Sequence, residues 1–578
     1  MKKKILSISL AILVLAQALF FIVPASAADG AWTGTEATAF AGGSGTADDP
    51  YQIANGAQLA YLAAQVNGGT DYSGKFFRLT DDIDLENREW LVIGNAHDKP
   101  FKGAFDGNGK TISGLLIAET KPYNAALFGK VMGSTAVIKN LTVNGKITGK
   151  VNSGAAVPAI AAVCGSLYTG ASMENVTAYA DVTISDATVG FYVAVLAGYV
   201  QGDSKVTNCK TYGNVTTTNE TTKNQEMHVG GMIGRVQGCT ITDCVNYVNV
   251  SNIRVAGTTP AGGLIGISKV DGAVTTRLVR CINYGDVYAE AADGSSNYRA
   301  GGMIGDTDRS WNYKSTVIMD SCVNLGKVSG KGITSAGGAG GMIGFDESKS
   351  TTLTNCITVG TNLSCPAHRI GKATVLNNCV AGLSVDTLDG ARVRIAEPTG
   401  IRFDSTLSKA AYDSLKSMGA DVTLGTLIAP TQRVTEAGAF TREALDALSA
   451  SLSGTPTYQT VVFTPGTSSW VDTDNEALYG FSGALAKINS ENYNLGFSAV
   501  GYITVTLGEL TFTLYADYNG EALRTRSIAY TATLAYADRT ATADATHTVY
   551  VEADGNYSPY SAEALAIIKG FADQHVAG

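Results

Sequence analysis

Charged side chains are scarce in this 578-residue chain, at 16% against about a quarter in ordinary globular proteins. The net charge is −9, and no cluster of lysine and arginine follows the first four residues. Phosphate backbones and anionic bilayers are recognised by clustered cations, so nucleic acid and lipid headgroups are not expected partners. Proline is rare, at 12 residues. The five histidines (His97, His228, His368, His547, His575) are dispersed without metal-ligand spacing. There is no C-x-x-C pair and no H-E-x-x-H, and the near neighbours Cys239 and Cys244 lack a histidine beside them. Neither a metal nor a cofactor is expected from this set. After the first 27 residues no apolar run approaches the ~20 residues that span a bilayer.

Met1–Ala27 itself has the layout of a secretory signal. Lys2, Lys3 and Lys4 precede the apolar run Ile5–Val23, and Ala25-Ser26-Ala27 is a small-residue cleavage site ending at Ala27. Secretion is therefore expected, with an extracellular or cell-surface destination. No L-P-x-T-G-like sorting signal precedes Gly578, so covalent wall anchoring is not expected. Residues 28–44 are rich in Gly, Thr and Ala and read as a flexible N-terminus.

What the chain has in abundance is glycine, 66 residues, and it is periodic. Gly-Gly-Met/Leu-Ile-Gly occurs at Gly230–Gly234, Gly262–Gly266, Gly301–Gly305 and Gly340–Gly344, with looser copies ending at Gly129, Gly165 and Gly198. The spacing, about 32–39 residues, is that of a solenoid or array. Each strong copy is followed by Cys244-Val245-Asn246, Cys281-Ile282-Asn283, Cys322-Val323-Asn324 or Cys356-Ile357-Thr358. Cys209, Cys244, Cys281, Cys322, Cys356 and Cys379 share one slot, which predicts an interior column of reduced thiols acting as small hydrophobes. Cys239 and Cys365 fall outside the column. Asn246, Asn283 and Asn324 are predicted to form an amide ladder. Gly-Gly-x-Ile-Gly reads as one strand of each coil, Cys-x-Asn as a second and Gly-x-Val as a third, stacked in parallel sheets about 4.8 Å apart. Asn55 and the apolar residues Leu59, Leu62, Ala63 and Val66 predict a capping helix over Ala57–Val66.

Gly45-Thr46-Ala47-Asp48-Asp49-Pro50-Tyr51-Gln52-Ile53, Ile83-Asp84-Leu85, Phe101–Ile112 and the Gly-Gly-Leu-Ile-Gly repeats together resemble the GLUG-repeat region of bacterial surface proteins. That region also precedes the catalytic domain of some bacterial immunoglobulin-A1 peptidases. The resemblance covers about Gly45–Val385. It implies a right-handed parallel β-helix on an exported protein of a bacterium, Gram-positive by the same likeness, and implies no activity.

The fold class expected is mainly β, a capped parallel β-helix over 45–388 followed by a smaller α+β or β-sandwich-like domain over 389–578. In the latter, Gly390–Ile395 and Thr399–Phe403 alternate as strands, Ser408–Met418 reads as a helix closed by Gly419, and Thr441–Leu452 and Ser561–Asp573 read as further helices. Gly-Ile-Arg-Phe, Gly-Thr-Leu-Ile-Ala-Pro, Glu491-Asn492-Tyr493 and Arg526-Ser527-Ile528 resemble an uncharacterised module of clostridial secreted proteins.

Two functions are weighed. The first is a surface-associated adhesion protein, monomeric, whose β-helix stalk presents a C-terminal domain to a glycan or a host/matrix protein. Trp470, Tyr493, Tyr502, Tyr515 and Tyr518 are the residues with which such a domain would stack on sugar rings. The second is a polysaccharide-active β-helix enzyme, lyase or glycoside hydrolase. Hydrolysis needs two facing carboxylates, and the best candidates are Asp82 and Asp84, which alternate with Ile83 and Leu85 beside Asp81. The Gly-His-Gly and Arg-Ile-Lys motifs of polygalacturonases are missing. No catalytic residue is assigned. Asp517-Tyr518-Asn519-Gly520 reads as a hairpin turn rather than a calcium loop.

Overall fold

A computed structural model describes residues 32–576, except 119–123, 152–156, 220–226, 270–272, 293–296, 308–314, 364–373, 519–525, 538–561 and a few scattered positions. The expected signal segment with Ala27, and Cys365, lie outside the described residues. The chain is mainly β and divides into two compact units, one ending at Gly382 and the other beginning at Leu383.

The first unit is a parallel β-solenoid of about six turns. Among the described residues its strands form three parallel sheets running along the stack: one of 21 short strands, one of six and one of seven. Pairing between coils is parallel and in register, as in Ile233↔Ile265↔Ile304↔Ile343. Gly-Gly-x-Ile-Gly is not the single strand expected. Strand Thr259–Gly262 ends on the first glycine and Ile265–Ser268 begins after Leu264, so the motif is the corner between two ladders. The corner explains the glycines. A Cβ on Gly262 would lie 2.7 Å from the amide nitrogen of Gly305 one coil on. One on Gly266 would lie 2.6 Å from the Gly234 oxygen one coil back.

A second corner lies just before each column cysteine. Asn140, Asn175, Asn208, Asp243, Arg280, Ser321, Asn355 and Asn378 all hold φ between 49° and 55°. Asn and Asp enter this left-handed region most readily among residues with a side chain. Arg280 is the exception by type, and its guanidinium forks onto Asp243 of the previous coil at 2.6 and 2.8 Å.

Inside the corner, Cys209, Cys244, Cys281, Cys322 and Cys356 are fully buried free thiols, and Cys379 is partly exposed at the end of the stack. Each directs Sγ at the carbonyl two residues before it, at 3.3 Å for Cys209 and 3.2 Å for Cys244. The amide ladder is also present. Asn246 Nδ2 donates to Asn283 Oδ1 at 2.8 Å, and Asn283 Nδ2 to Asn324 Oδ1 at 2.8 Å. Thr211 and Thr358 terminate it with hydroxyls.

The helix near the N-terminus spans Gly56–Asn67, with Asn55 Oδ1 accepting the Gln58 amide at 3.1 Å. It buries Leu59, Leu62, Ala63 and Val66 in the first coils. Residues 32–44, read from sequence as flexible, carry two aromatic anchors. Trp32 packs edge-on against Trp90, and Phe40 lies among Tyr51, Tyr61, Tyr72 and Phe77. No helix among the described residues is long and apolar enough to cross a membrane.

The second unit holds two four-stranded antiparallel sheets, five α-helices and one short 3-10 helix among its described residues. In one sheet, Gly400–Ser408 pairs with Leu478–Ala486 along one edge, and with Val385–Thr387 and Arg392–Arg394 along the other. The other runs Gln459–Phe463, Asp421–Pro430, Phe497–Leu507, Leu510–Tyr515. The sheets approach through small residues, Gly483 against Thr426 and Gly501 against Ser405, where a Cβ would meet the facing side chain at 2.5 Å. The helices Lys409–Ser417 and Arg442–Ser451 are N-capped by Ser408 and Thr441. Val385–Thr387 lies before the 388/389 boundary read from sequence, yet it pairs within this second unit.

Candidate functional site

The acidic residues of the first coils are engaged locally. Asp82 Oδ1 accepts the Thr111 amide at 2.7 Å, Asp84 Oδ1 accepts the Glu86 amide at 2.9 Å, and Asp81 accepts the Thr80 hydroxyl at 2.8 Å. Backbone amides that would otherwise be orphaned at strand ends explain Asp82 and Asp84. Among the described residues no group of three or more His, Cys, Asp or Glu is arranged to hold a metal ion.

The five aromatic residues singled out in the C-terminal unit are not brought into one platform. Tyr493 packs on Phe571 at the core. Tyr502 is 1% exposed, and Tyr502 and Tyr515 share Arg442, whose guanidinium lies over the Tyr502 ring. Burial pushes the phenols of Tyr502 and Tyr515 above their ordinary value. Tyr518 packs edge-on against Phe440 and shares a hydrogen bond with Ser498. Trp470 stands elsewhere, stacked on Tyr479 at 4.6 Å and flanked by Phe463 and Tyr412.

Trp470 lines a cavity of about 640 Å³. Period-2 alternation builds its floor. Along Arg392–Arg394 and Gly400–Phe403, Val393, Ile401 and Phe403 go into the core, leaving Arg392, Arg394 and Arg402 on the cavity side. Ser482, Ala484 and Ala486 of the adjacent strand are small and leave the space open. The apolar wall is Val461, Val462 and Phe463, with Pro398. Arg392 Nη2 pairs with Asp404 at 2.7 Å. Arg394 Nε donates to the Pro398 carbonyl at 2.9 Å. Burial, and then the neighbouring Arg392, hold the Arg402 guanidinium below its ordinary value.

A second feature missed by sequence reasoning is a tyrosine stack on the solenoid. Tyr179, Tyr212, Tyr247 and Tyr284 stack at 4.5, 4.7 and 4.7 Å, with rings within 12° of parallel. Tyr179 and Tyr247 remain 38% and 40% exposed. The signal was visible, since tyrosine follows Cys-x-Thr/Asn in three successive coils. Parallel coils about 4.8 Å apart bring identical side chains to stacking distance.

No family model matches the chain. Over 244 residues, 37% of the chain, it is 32% identical to halomucin of Haloquadratum walsbyi, and the match covers 2% of that protein. Over 116 residues, 19% of the chain, it is 33% identical to a Gly-rich membrane protein of Evansella cellulosilytica, covering 13% of it. The chain thus spans a small fraction of the length of these relatives.

Proposed function

We propose that this chain is a secreted, surface-associated binding protein. A right-handed β-helix of GLUG type carries a C-terminal unit that binds a glycan or a host/matrix protein. The observation that carries this reading is the placement of an open cavity, with arginines and Trp470 along its walls, in the non-repeating unit. Likeness in sequence to halomucin and to a Gly-rich membrane protein supports a surface location. The repeats are occupied by structural columns of Cys, Asn and Gly, a composition suited to a stalk. The enzyme alternative rests on Asp82 and Asp84, and both accept backbone amides.

The test is an array of immobilised glycans and matrix proteins probed with the chain from residue 28 onward. Saturable binding to at least one class supports the reading. Release of reducing sugar or of unsaturated product from polysaccharides, abolished in Asp82→Ala or Asp84→Ala, would replace it with the enzyme reading.

A further inference from the structure

Three arginines, Arg392, Arg394 and Arg402, are the charged residues described along the cavity of the C-terminal unit. Arg392 and Arg402 are direct cross-strand partners, a like-charge pairing that destabilises a sheet. Arg394, two residues from Arg392, projects from the same face. Asp404 pairs with Arg392, and among the described residues no acidic side chain lines the cavity. Arg394 is held by the carbonyls of Pro398 and Glu397, which orient its guanidinium without neutralising it. The Arg402 Nε is buried without a hydrogen-bond partner among the described residues. A buried donor left unmatched costs free energy. These cations sit in a chain whose net charge is −9, so local design and overall charge point in opposite directions.

The rest of the cavity narrows the ligand. A guanidinium presents a planar fork of donors that matches a carboxylate at two points. Beside the arginines the lining holds the apolar residues Val461, Val462, Phe463 and Trp470 and the hydroxyl residues Ser468 and Ser482. The combination of a cationic floor, an apolar wall and scattered hydroxyls fits a sugar ring, which has a C–H face and a hydroxyl rim. About 640 Å³ falls within the range of small-ligand pockets, roughly 300–1,000 Å³.

We propose that this cavity binds a carboxylate-bearing sugar, its carboxylate taken by Arg402 with Arg394 and its ring laid on the Val461–Phe463 wall. The proposal rests on the reading of the C-terminal unit as a glycan binder and names the class of glycan.

Titration calorimetry of the full chain from residue 28 tests it. The probes are digalacturonate, a glucuronate-containing disaccharide and sialyllactose, each beside its uncharged counterpart. At least one acidic sugar should bind, with its neutral counterpart weaker by about tenfold or more. Arg402→Gln should remove about tenfold or more of that affinity, and Arg402→Lys, which keeps the charge but not the fork, should recover only part of it. Thermal unfolding reports whether the variants fold. If Arg402→Gln does not, Val462→Glu, at a position 55% exposed on the wall, takes its place and should abolish binding by offering a competing carboxylate. Equal binding of acidic and neutral sugars, no binding of any acidic probe, or affinity unchanged by both variants overturns the proposal. So does equal, Arg402-dependent binding of an acetylated peptide with a free C-terminal carboxylate. Array binding of a neutral glycan or a matrix protein, insensitive to Arg402, would defeat this inference and leave the surface-binding reading standing; an array with no binding at all would defeat both.

Discussion

Asn283 makes three hydrogen bonds from a fully buried position: to Asn324 Oδ1 and to the Gly285 carbonyl through Nδ2, and from Asn246 through Oδ1, all at 2.8 Å. Alanine there leaves the Gly285 and Asn324 oxygens without this donor in the interior of the stack, at about 1–3 kcal/mol for each group left unmatched. Asn283→Ala is therefore expected to lower the denaturation midpoint sharply. Asn283→Thr should lose less, because Thr211 and Thr358 already hold this slot at the ends of the ladder. Equal losses from the two would mean that the ladder is packing rather than hydrogen bonding. The thiols give a prediction in pH. Burial pushes Cys164 and Cys239 up to about 12 from an ordinary 9.0. A thiol whose pKa is raised by folding contributes its stability in full below the unfolded value and loses it as pH climbs toward the folded one, at about 1.4 kcal/mol per pH unit for each thiol. The midpoint should thus fall between pH 9 and pH 12. Cys239→Ala should begin lower at pH 8 and fall less steeply. A midpoint flat to pH 11 would show that these thiols are not buried as described.

At the level of elements, what was legible in the sequence is what recurs with one chemistry. The cysteine slot, the asparagine ladder and the Asn55-capped helix each depend on residue types with few alternative uses, and each appears where expected. Gly-Gly-x-Ile-Gly reads as a strand in sequence because glycine carries no mark of which neighbour it must clear; the neighbour is the next coil, tens of residues away in sequence. The left-handed column from Asn140 to Asn378 is not legible in sequence because its residues vary from Asn to Asp, Arg and Ser while sharing one φ. The arginine floor reads in sequence as alternating strands, but alternation alone does not say what the polar face meets. That required the pairing of Gly400–Ser408 with strands on both its edges. The corner glycines yield a direct test. A Cβ on Gly305 would sit 2.6 Å from the Ala261 carbonyl carbon and oxygen and 2.7 Å from the Gly266 oxygen, all backbone. Backbone in a stacked coil cannot rotate away, so Gly305→Ala should force neighbouring coils apart and cost several kcal/mol, about the upper range for single substitutions. Gly170→Ala is the control, since its Cβ would meet only Ser134 at 3.4 Å, though at φ +78° it carries a smaller backbone cost. Comparable soluble yield and midpoint for the two would contradict the corner geometry.

At the scale of the whole molecule, the division at Gly382/Leu383 separates two kinds of stability. The solenoid is held coil to coil, each turn contacting its neighbours, so its cohesion is nearly one-dimensional. The second unit closes a core of its own, in which Val393, Ile401, Phe403, Ile428 and Phe497 of the strands meet Ile528, Ile568 and Phe571 of the last two helices. A unit with its own core can fold alone. The fragment 383–578 is therefore expected to unfold cooperatively by itself. Where it is cut matters. Val385–Thr387 pairs along Ser405–Leu407, the Leu388 amide donates to the Asp404 carbonyl at 2.9 Å, and Thr387 Oγ1 accepts the buried Gly501 amide at 2.7 Å. A fragment starting at residue 390, where the composition of the sequence changes, would strip an edge strand and leave the Gly501 amide without that acceptor at about 1–3 kcal/mol. For a chain of this size that corresponds to a drop of several degrees, at about 2–4 °C per kcal/mol. Scanning calorimetry of the two fragments separates the possibilities. A cooperative transition in 383–578 with a lower one in 390–578 supports an autonomous unit that includes Val385–Thr387. Identical transitions would make that strand a passive tail, and a broad, non-cooperative profile in both would mean that the second unit depends on the solenoid for its fold.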